Sequence, residues 1–144
     1  MPKPMLVPDD ALGVITRLLN ATNAHDLDEL TRCFAPAYVN LTPAHPLRGF
    51  IGRGQVHANW EQFFATIPDL QASIVGSVVD GDRVWSEWQM TGTRADGSAH
   101  EMAGIIVFTV KGDEIARASL YLEPVERQSG TVDDAVGRQV TGAT

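Results

Sequence analysis

The sequence predicts an α+β protein in which helices come first and an antiparallel sheet follows. Up to Pro68, apolar residues recur at intervals of three and four, which is the period of a helix with one buried face. From Leu70 onward they recur at every second residue, the period of a strand with one buried face. Turns rich in Gly and Asp divide this second half. These patterns indicate a helical layer packed on a sheet.

Three helices are predicted before the sheet, over residues 8–23, 26–34 and 55–67. Acidic residues open the first two, because a carboxylate accepts the free amide hydrogens at a helix start and suits the helix dipole. Pro68 ends the third helix, since proline cannot continue the hydrogen-bond pattern. Each helix has one apolar face, and we expect that face to cover the sheet.

A short strand over residues 37–42 separates the second and third helices. Tyr38, Asn40 and Thr42 alternate along it and therefore share one face, while apolar residues occupy the other. A row of polar side chains at this point suggests groups aimed into an enclosed space. Four further strands, joined by hairpins, are predicted over residues 70–79, 83–94, 99–110 and 115–123.

The chain is long enough for one domain with a single core. It has 144 residues, of which 44% are apolar, and a net charge of −7. We expect one domain over residues 1–124, with residues 1–8 as a loose arm. Residues 125–144 are expected to form a tail with a short helix that is marginal by itself.

Charge and motif content argue against several function classes. Acidic residues are spread along the whole chain, whereas nucleic-acid binding needs a basic face. No apolar run is long enough to span a membrane, and the Met-Pro-Lys-Pro start lacks the apolar core of a signal peptide, so a cytoplasmic protein is expected. Cys33 is the single cysteine, and no Cys/His cluster has zinc-ligand spacing. We expect neither a metal nor a cofactor.

Several short motifs occur in an order that resembles one superfamily. They lie at residues 34–40, 69–70, 80–88, 92–93 and 115–123. Over residues 9–124 the chain is similar to the NTF2-like superfamily, which includes ketosteroid isomerases, SnoaL-type polyketide cyclases and limonene-epoxide hydrolases. The resemblance implies a cone of three N-terminal helices on a strongly curved, mainly antiparallel sheet. It also implies a blind pocket for a small hydrophobic molecule and a homodimer through the outer sheet face.

The resemblance also shows which functional positions are kept. Tyr38 and Asn40 match the pair with which epoxide hydrolases hold the attacking water. The Arg and Asp of those enzymes fall on Trp88 and Met90, and their second acid, like the Asp of the cyclases, falls on Leu120. Since a carboxylate in a dry pocket is costly unless it is paired, the loss of one favours the loss of its partners.

The ketosteroid isomerase positions are also changed. The base of those enzymes falls near Thr42 and their protonated Asp near Ile105, so both carboxylates are missing. His45, in a proline-bounded loop at the expected cone rim, could instead act as a general acid or base near pH 7. A solvated loop histidine is the alternative interpretation.

The candidate catalytic residues are therefore Tyr38, Asn40 and His45. The candidate substrate-binding residues are mainly apolar and comprise Trp60, Phe64, Trp88, Met90, Ile105, Leu120 and Leu122. In a solid fold such residues would simply fill the core, whereas in a cone they line a cavity.

Three other residues are weaker candidates on the same reasoning. His100 lies at a strand start beside a hairpin, and Glu123 is interpreted as an ion-pair or dimer residue. Glu101 could point inward near one end of the cone, but an exposed carboxylate at the end of a strand is the favoured interpretation.

Two functions fit this pattern. One is a cofactor-independent isomerase, cyclase, lyase or hydrolase acting on a polyketide- or terpenoid-like molecule. The alternative is a non-catalytic ligand-binding or dimeric interaction module that has lost the carboxylates of the family.

Overall fold

The structure, a computed structural model, describes residues 8–142 of the chain. Apart from Pro8, the predicted arm at residues 1–8 lies outside this range. The helices are α1 (Pro8–Asn23), α2 (Leu27–Arg32), α3 (Arg53–Thr66) and α4 (Val132–Thr141), with a 3-10 turn at Pro46–Arg48. The strands are β1 (Phe34–Leu41), β2 (Phe50–Ile51), β3 (Gln71–Asp80), β4 (Arg83–Thr93), β5 (Ala99–Lys111) and β6 (Glu114–Pro124).

The strands form one six-stranded sheet in the order β2-β1-β6-β5-β4-β3. β1 is parallel to β6, and every other neighbouring pair is antiparallel. The sheet is curled but not closed, and the first three helices cover its inner face, so the predicted α+β cone is confirmed. The sequence pattern missed β2 and placed the start of β1 three residues too late, because β1 contains Pro36 and follows directly on α2.

Side-chain hydrogen bonds fix the first helix to the sheet. Asn23, the last residue of α1, donates from Nδ2 to the carbonyl of Ala72 at 2.9 Å and accepts from the Ala72 amide at 2.7 Å. Asp26 caps α2 by accepting the amide hydrogen of Glu29. Apolar residues of α1 and α2 then pack against the inner sheet face as one core.

Two glycines allow close approach of backbone and side chains on β4 and β5. A Cβ on Gly104 would lie 2.1 Å from the carbonyl oxygen of Tyr121, and its φ of +152° also favours glycine. A Cβ on Gly92 would lie 2.4 Å from Cγ2 of Ile67, which follows α3. Because Gly92 has no side chain, the end of α3 lies directly on β4.

The tail forms α4, with a capping box in which Thr131 and Asp134 bond each other's backbone amides. None of the helices in residues 8–142 is long and apolar enough to cross a membrane.

Candidate functional site

A cavity of about 280 Å³ lies between the helices and the inner face of the sheet. Its lining is mostly apolar, and the sheet contributes alternate residues of β1, β4, β5 and β6. The helices contribute Leu18, Thr22, Val56, Asn59, Trp60 and Phe63.

A buried polar pair lies on β1 in this cavity. The hydroxyl of Tyr38 donates to Oδ1 of Asn40 at 2.7 Å, and the two residues are 2% and 8% exposed. The ring of Tyr38 packs edge-on against those of Phe34 and Phe50. Burial raises the pKa of Tyr38 well above its usual value, so its hydroxyl stays protonated at neutral pH.

The Tyr38 bond also determines how Asn40 can act. Because Oδ1 of Asn40 is occupied, the amide group offers its Nδ2 hydrogens to a ligand. Within residues 8–142, Nδ2 of Asn40 has no hydrogen-bond partner. Every fully buried side-chain nitrogen or oxygen in this range does have a partner, so Nδ2 is not fully buried. The Asn40 amide is therefore accessible from the cavity that it lines.

A second polar pair lies at the mouth. Nε2 of His45 is 2.8 Å from Oε1 of Glu123, and the side chains are 36% and 45% exposed. Thr42 holds the loop by donating from its hydroxyl to the carbonyl of His45 at 2.8 Å. β1 and β6 are neighbours and parallel, so the loop after β1 lies beside the end of β6. Glu123 is interpreted from the sequence as an ion-pair residue, and its partner is His45. Both residues line the cavity.

The apolar wall includes the three residues that the sequence resemblance predicts at ionisable positions of related enzymes. Trp88, Met90 and Leu120 all line the cavity, and Trp88 is 1% exposed. Nε1 of Trp88 donates to the hydroxyl of Ser86 at 2.8 Å, and that hydroxyl donates to the carbonyl of Ile106 at 2.8 Å. The one polar atom of the Trp88 ring is thereby satisfied inside the protein.

Trp60 and Leu122 also line the cavity, but two of the predicted lining positions need correction. Phe64 lies outside the lining and stacks on the ring of His25, with the centroids 4.5 Å apart. His25 in turn bonds the carbonyl of Leu70 through Nε2 at 2.8 Å. Phe64 therefore belongs to a packing contact between α3 and the turn before α2.

Ile105 is the second correction. It pairs with Glu87 and Tyr121 on the outer face of the sheet, and it does not line the cavity. The inner face of β5 carries His100, Met102, Ile106 and Phe108 instead. β5 has apolar residues on both faces, so the sequence pattern does not distinguish its inward residues from its outward ones. The prediction therefore named Ile105, which faces outward.

The two weaker candidates on β5 lie on opposite faces of the sheet. Glu101 faces outward and forms an ion pair with Arg127, in agreement with its favoured interpretation as an exposed strand-end carboxylate. His100 is 9% exposed and lines the cavity. Its position at an even interval from Met102, Ile106 and Phe108 is the signal that could have identified it.

No group of three or more His, Cys, Asp or Glu side chains within residues 8–142 is arranged to hold a metal ion. Cys33 is buried, and burial raises the pKa of its thiol, which disfavours the reactive thiolate.

The chain was also compared with known proteins. The family model of the SnoaL-like domain matches residues 15–118. The chain belongs to the SnoaL-like domain family. A comparison with curated proteins found no match.

Solved structures with the same fold agree with this assignment. IdmH from Streptomyces antibioticus, named as a candidate polyketide cyclase, is 23% identical with a TM-score of 0.68, and the match covers 78% of this chain and 91% of that one. A candidate SnoaL-like polyketide cyclase from Jannaschia is 16% identical with a TM-score of 0.70, covering 85% and 92% of the two chains. TsrD from Streptomyces laurentii is 20% identical with a TM-score of 0.68, covering 96% and 99%. At these identities the likeness concerns the SnoaL-like fold.

Proposed function

We propose that this SnoaL-like protein is a cofactor-independent enzyme that moves a proton on a carbon next to a carbonyl group. Its substrate would be a small hydrophobic molecule of the polyketide or terpenoid kind. Isomerisation, cyclisation and many lyase reactions share this step, and a hydrolase could use the same groups to activate water. The observation that carries the proposal is the His45–Glu123 pair, an imidazole held by a carboxylate in the wall of a mainly apolar cavity.

The size and lining of the cavity support a small apolar substrate. Pockets for small molecules usually measure about 300–1,000 Å³, so a cavity of about 280 Å³ is near the lower limit. Trp60, Trp88 and Met90 offer apolar contact to a hydrocarbon skeleton. The two polar pairs would then determine how the skeleton is oriented.

His45 would be the general base. Its Nε2 faces a carboxylate oxygen of Glu123, and a carboxylate can only accept a hydrogen bond, so Nε2 must hold the hydrogen. Neutral His45 is therefore basic at Nδ1. Glu123 would act as a positioning residue that fixes this tautomer and stabilises the imidazolium once it forms.

Asn40 would stabilise the charge that develops on the substrate oxygen. When the C–H bond breaks, the proton goes to Nδ1 of His45 and the electron pair moves to the carbonyl oxygen, giving an enolate. The Nδ2 hydrogens of Asn40, held in place by the Tyr38 bond, would donate to that oxygen. Return of the proton to a different carbon completes an isomerisation. In a cyclisation, the enolate carbon attacks a second carbonyl, and the oxygen of that carbonyl takes the proton from Nδ1 of His45.

Proton exchange tests the proposal without knowledge of the natural substrate. Purified protein is incubated in D₂O with 2-tetralone, a small bicyclic ketone, and loss of the α-proton signal is followed by NMR. We expect His45→Gln to slow the enzyme-dependent exchange about 100-fold or more, since a positioned base contributes about 10²–10⁴. His57→Gln is the matched control, because His57 on α3 does not line the cavity. Equal exchange by the wild-type protein and His45→Gln would exclude His45 as the base.

A non-catalytic binding protein is the second candidate. Trp88, Met90 and Leu120 give the wall an apolar character where relatives carry ionisable groups, and this favours binding over turnover. Saturable binding of 2-tetralone, with no exchange above the buffer rate, would support this candidate against the enzyme.

We also propose a homodimer through the outer face of the sheet. Val78, Trp85 and Tyr121 are exposed there, and Val78 and Trp85 are direct cross-strand partners. Sedimentation velocity should show a dimer that Trp85→Lys converts to a monomer. A monomer in the wild-type protein at micromolar concentration would contradict it.

A further inference from the structure

His100 is a buried titratable residue to which the proposed reaction gives no role. It is 9% exposed, lies at the beginning of β5 and lines the cavity. Within residues 8–142, neither ring nitrogen of His100 has a hydrogen-bond partner. Every fully buried side-chain nitrogen in this range does have a partner, so the His100 nitrogens are not fully buried. The ring nitrogens therefore keep some accessible surface, although almost all of the residue is enclosed.

The residues around His100 pack against its ring but form no hydrogen bond with its nitrogens. Its cross-strand partner is Gly92, which has no side chain to cover the imidazole. On the opposite side the ring of Phe63 lies 6.3 Å away between centroids, and Ile67 packs directly on Gly92. The end of α3 thus packs beside His100.

His100 also borders a second, more open space. A groove outside the cavity is lined by Arg94, Asp96 and residues near the end of α3. Asn59, Phe63 and His100 line both the groove and the inner cavity, so these three residues lie between the two spaces.

His100 is neutral in this environment. Burial lowers its pKa below the ordinary value, and the positive charge of Arg94 lowers the pKa further. Arg94 is held by its own hairpin, where it donates to the carbonyl of Ala99 at 2.5 Å, and Asp96 lines the same groove. A neutral imidazole has one donor and one acceptor, so it can bond either a hydroxyl or a carbonyl oxygen.

His100 lies far from the Tyr38–Asn40 pair along the sheet. Asn40 is opposite Ala118, which is opposite Phe108 on β5. From Phe108 to His100 the strand extends by eight residues, or about 26 Å of contour at about 3.3 Å per residue. The curl of the sheet makes the direct distance shorter than this contour, and the two polar positions are separated along the inner face.

We propose that His100 is a second hydrogen-bonding subsite, which holds an oxygen at one end of an elongated and mainly apolar ligand. The Tyr38–Asn40 pair would serve the other end, and the apolar wall would contact the skeleton between them. The proposal rests on the proposed function only in taking the cavity as the ligand site, and it does not require His45 to act as a base.

Two stilbenes that differ in one group test the subsite. trans-4-Hydroxystilbene and trans-4-methylstilbene have nearly the same shape, but only the first can hydrogen-bond. Their dissociation constants are measured by titration calorimetry with the wild-type protein, His100→Phe, His100→Gln and the matched control His57→Phe. We expect the wild-type protein and the control to prefer the hydroxyl compound about three- to tenfold. His100→Phe should lose the preference while binding the methyl compound as before, and His100→Gln should keep part of it.

A measurement on the wild-type protein covers the case in which the variants do not fold. The ring ¹⁵N signals of His100 should move when the hydroxyl compound is added and stay in place with the methyl compound. Equal affinities for both compounds in the wild-type protein, or an unchanged preference in His100→Phe, would overturn the subsite and leave the proposed function intact. Failure of both compounds to bind would overturn the subsite and the cavity as a ligand site together.

Discussion

The two polar pairs of the cavity differ in how far they are removed from water. Tyr38 and Asn40 are almost completely buried and bond each other, whereas the side chains of His45 and Glu123 are more than one-third exposed. A buried neutral pair holds a fixed geometry, since breaking it leaves an unsatisfied polar group. An exposed pair contributes little stability but exchanges protons with solvent. The first arrangement suits the binding of a developing charge, and the second suits a base that must be regenerated.

Truncation of the wall between the pairs should have the largest effect. Trp88→Ala removes a fully buried ring and its bond to Ser86, so we expect a loss of about 3–5 kcal/mol in the free energy of unfolding. Leu47→Ala is the control and should cost about 1 kcal/mol or less, because Leu47 is fully exposed. Urea denaturation measures both variants. Similar losses would show that Trp88 is not part of a packed inner wall.

Removal of the Tyr38 hydroxyl tests whether the inner pair is structural. In Tyr38→Phe, Oδ1 of Asn40 loses its donor inside the protein, and we expect a loss of about 1–3 kcal/mol in unfolding free energy. Ser77→Ala removes an exposed hydroxyl from β3 and should alter stability by less than about 0.5 kcal/mol. A neutral Tyr38→Phe would contradict the contrast between the two pairs.

Glu123→Gln tests the outer pair. Because both side chains are partly exposed, we expect a loss of only about 0.2–1 kcal/mol in unfolding free energy, and most of it should disappear in 1 M salt. The proton exchange of 2-tetralone should fall more strongly than the stability does, since the His45 tautomer is no longer fixed. A large loss of stability that does not depend on salt would show that the His45–Glu123 pair is shielded from water like the Tyr38–Asn40 pair.

The smallest expected effect is the pH dependence that His100 contributes. Its folded pKa is lowered, so the unfolded state binds more protons below about pH 6.5, and stability from this residue falls as pH decreases through the folded pKa. Between pH 7.5 and 5.5, the midpoint of urea denaturation should therefore decrease less in His100→Gln than in the wild-type protein. The same decrease in both would show that His100 is not desolvated in the folded state.

The amino-acid sequence determined the fold class and the helices because the change in apolar period at Leu70 is a local property of the chain. It also brought Tyr38 and Asn40 to one face and identified Trp88, Met90 and Leu120 as apolar wall, and these residues line the cavity. Alternation was informative there because each of these strands has one clearly apolar face.

The tertiary structure decided what alternation could not. β5 carries apolar residues on both faces, so only its pairing with β4 and β6 turned His100 inward and Ile105 outward. His45 and Glu123 are 78 residues apart, and the parallel alignment of β1 and β6 brings them together. Phe64 follows the helical period, yet the position of His25 makes it a packing residue. Local periodicity selects the face of an element, whereas strand order and register decide which distant residues meet on that face.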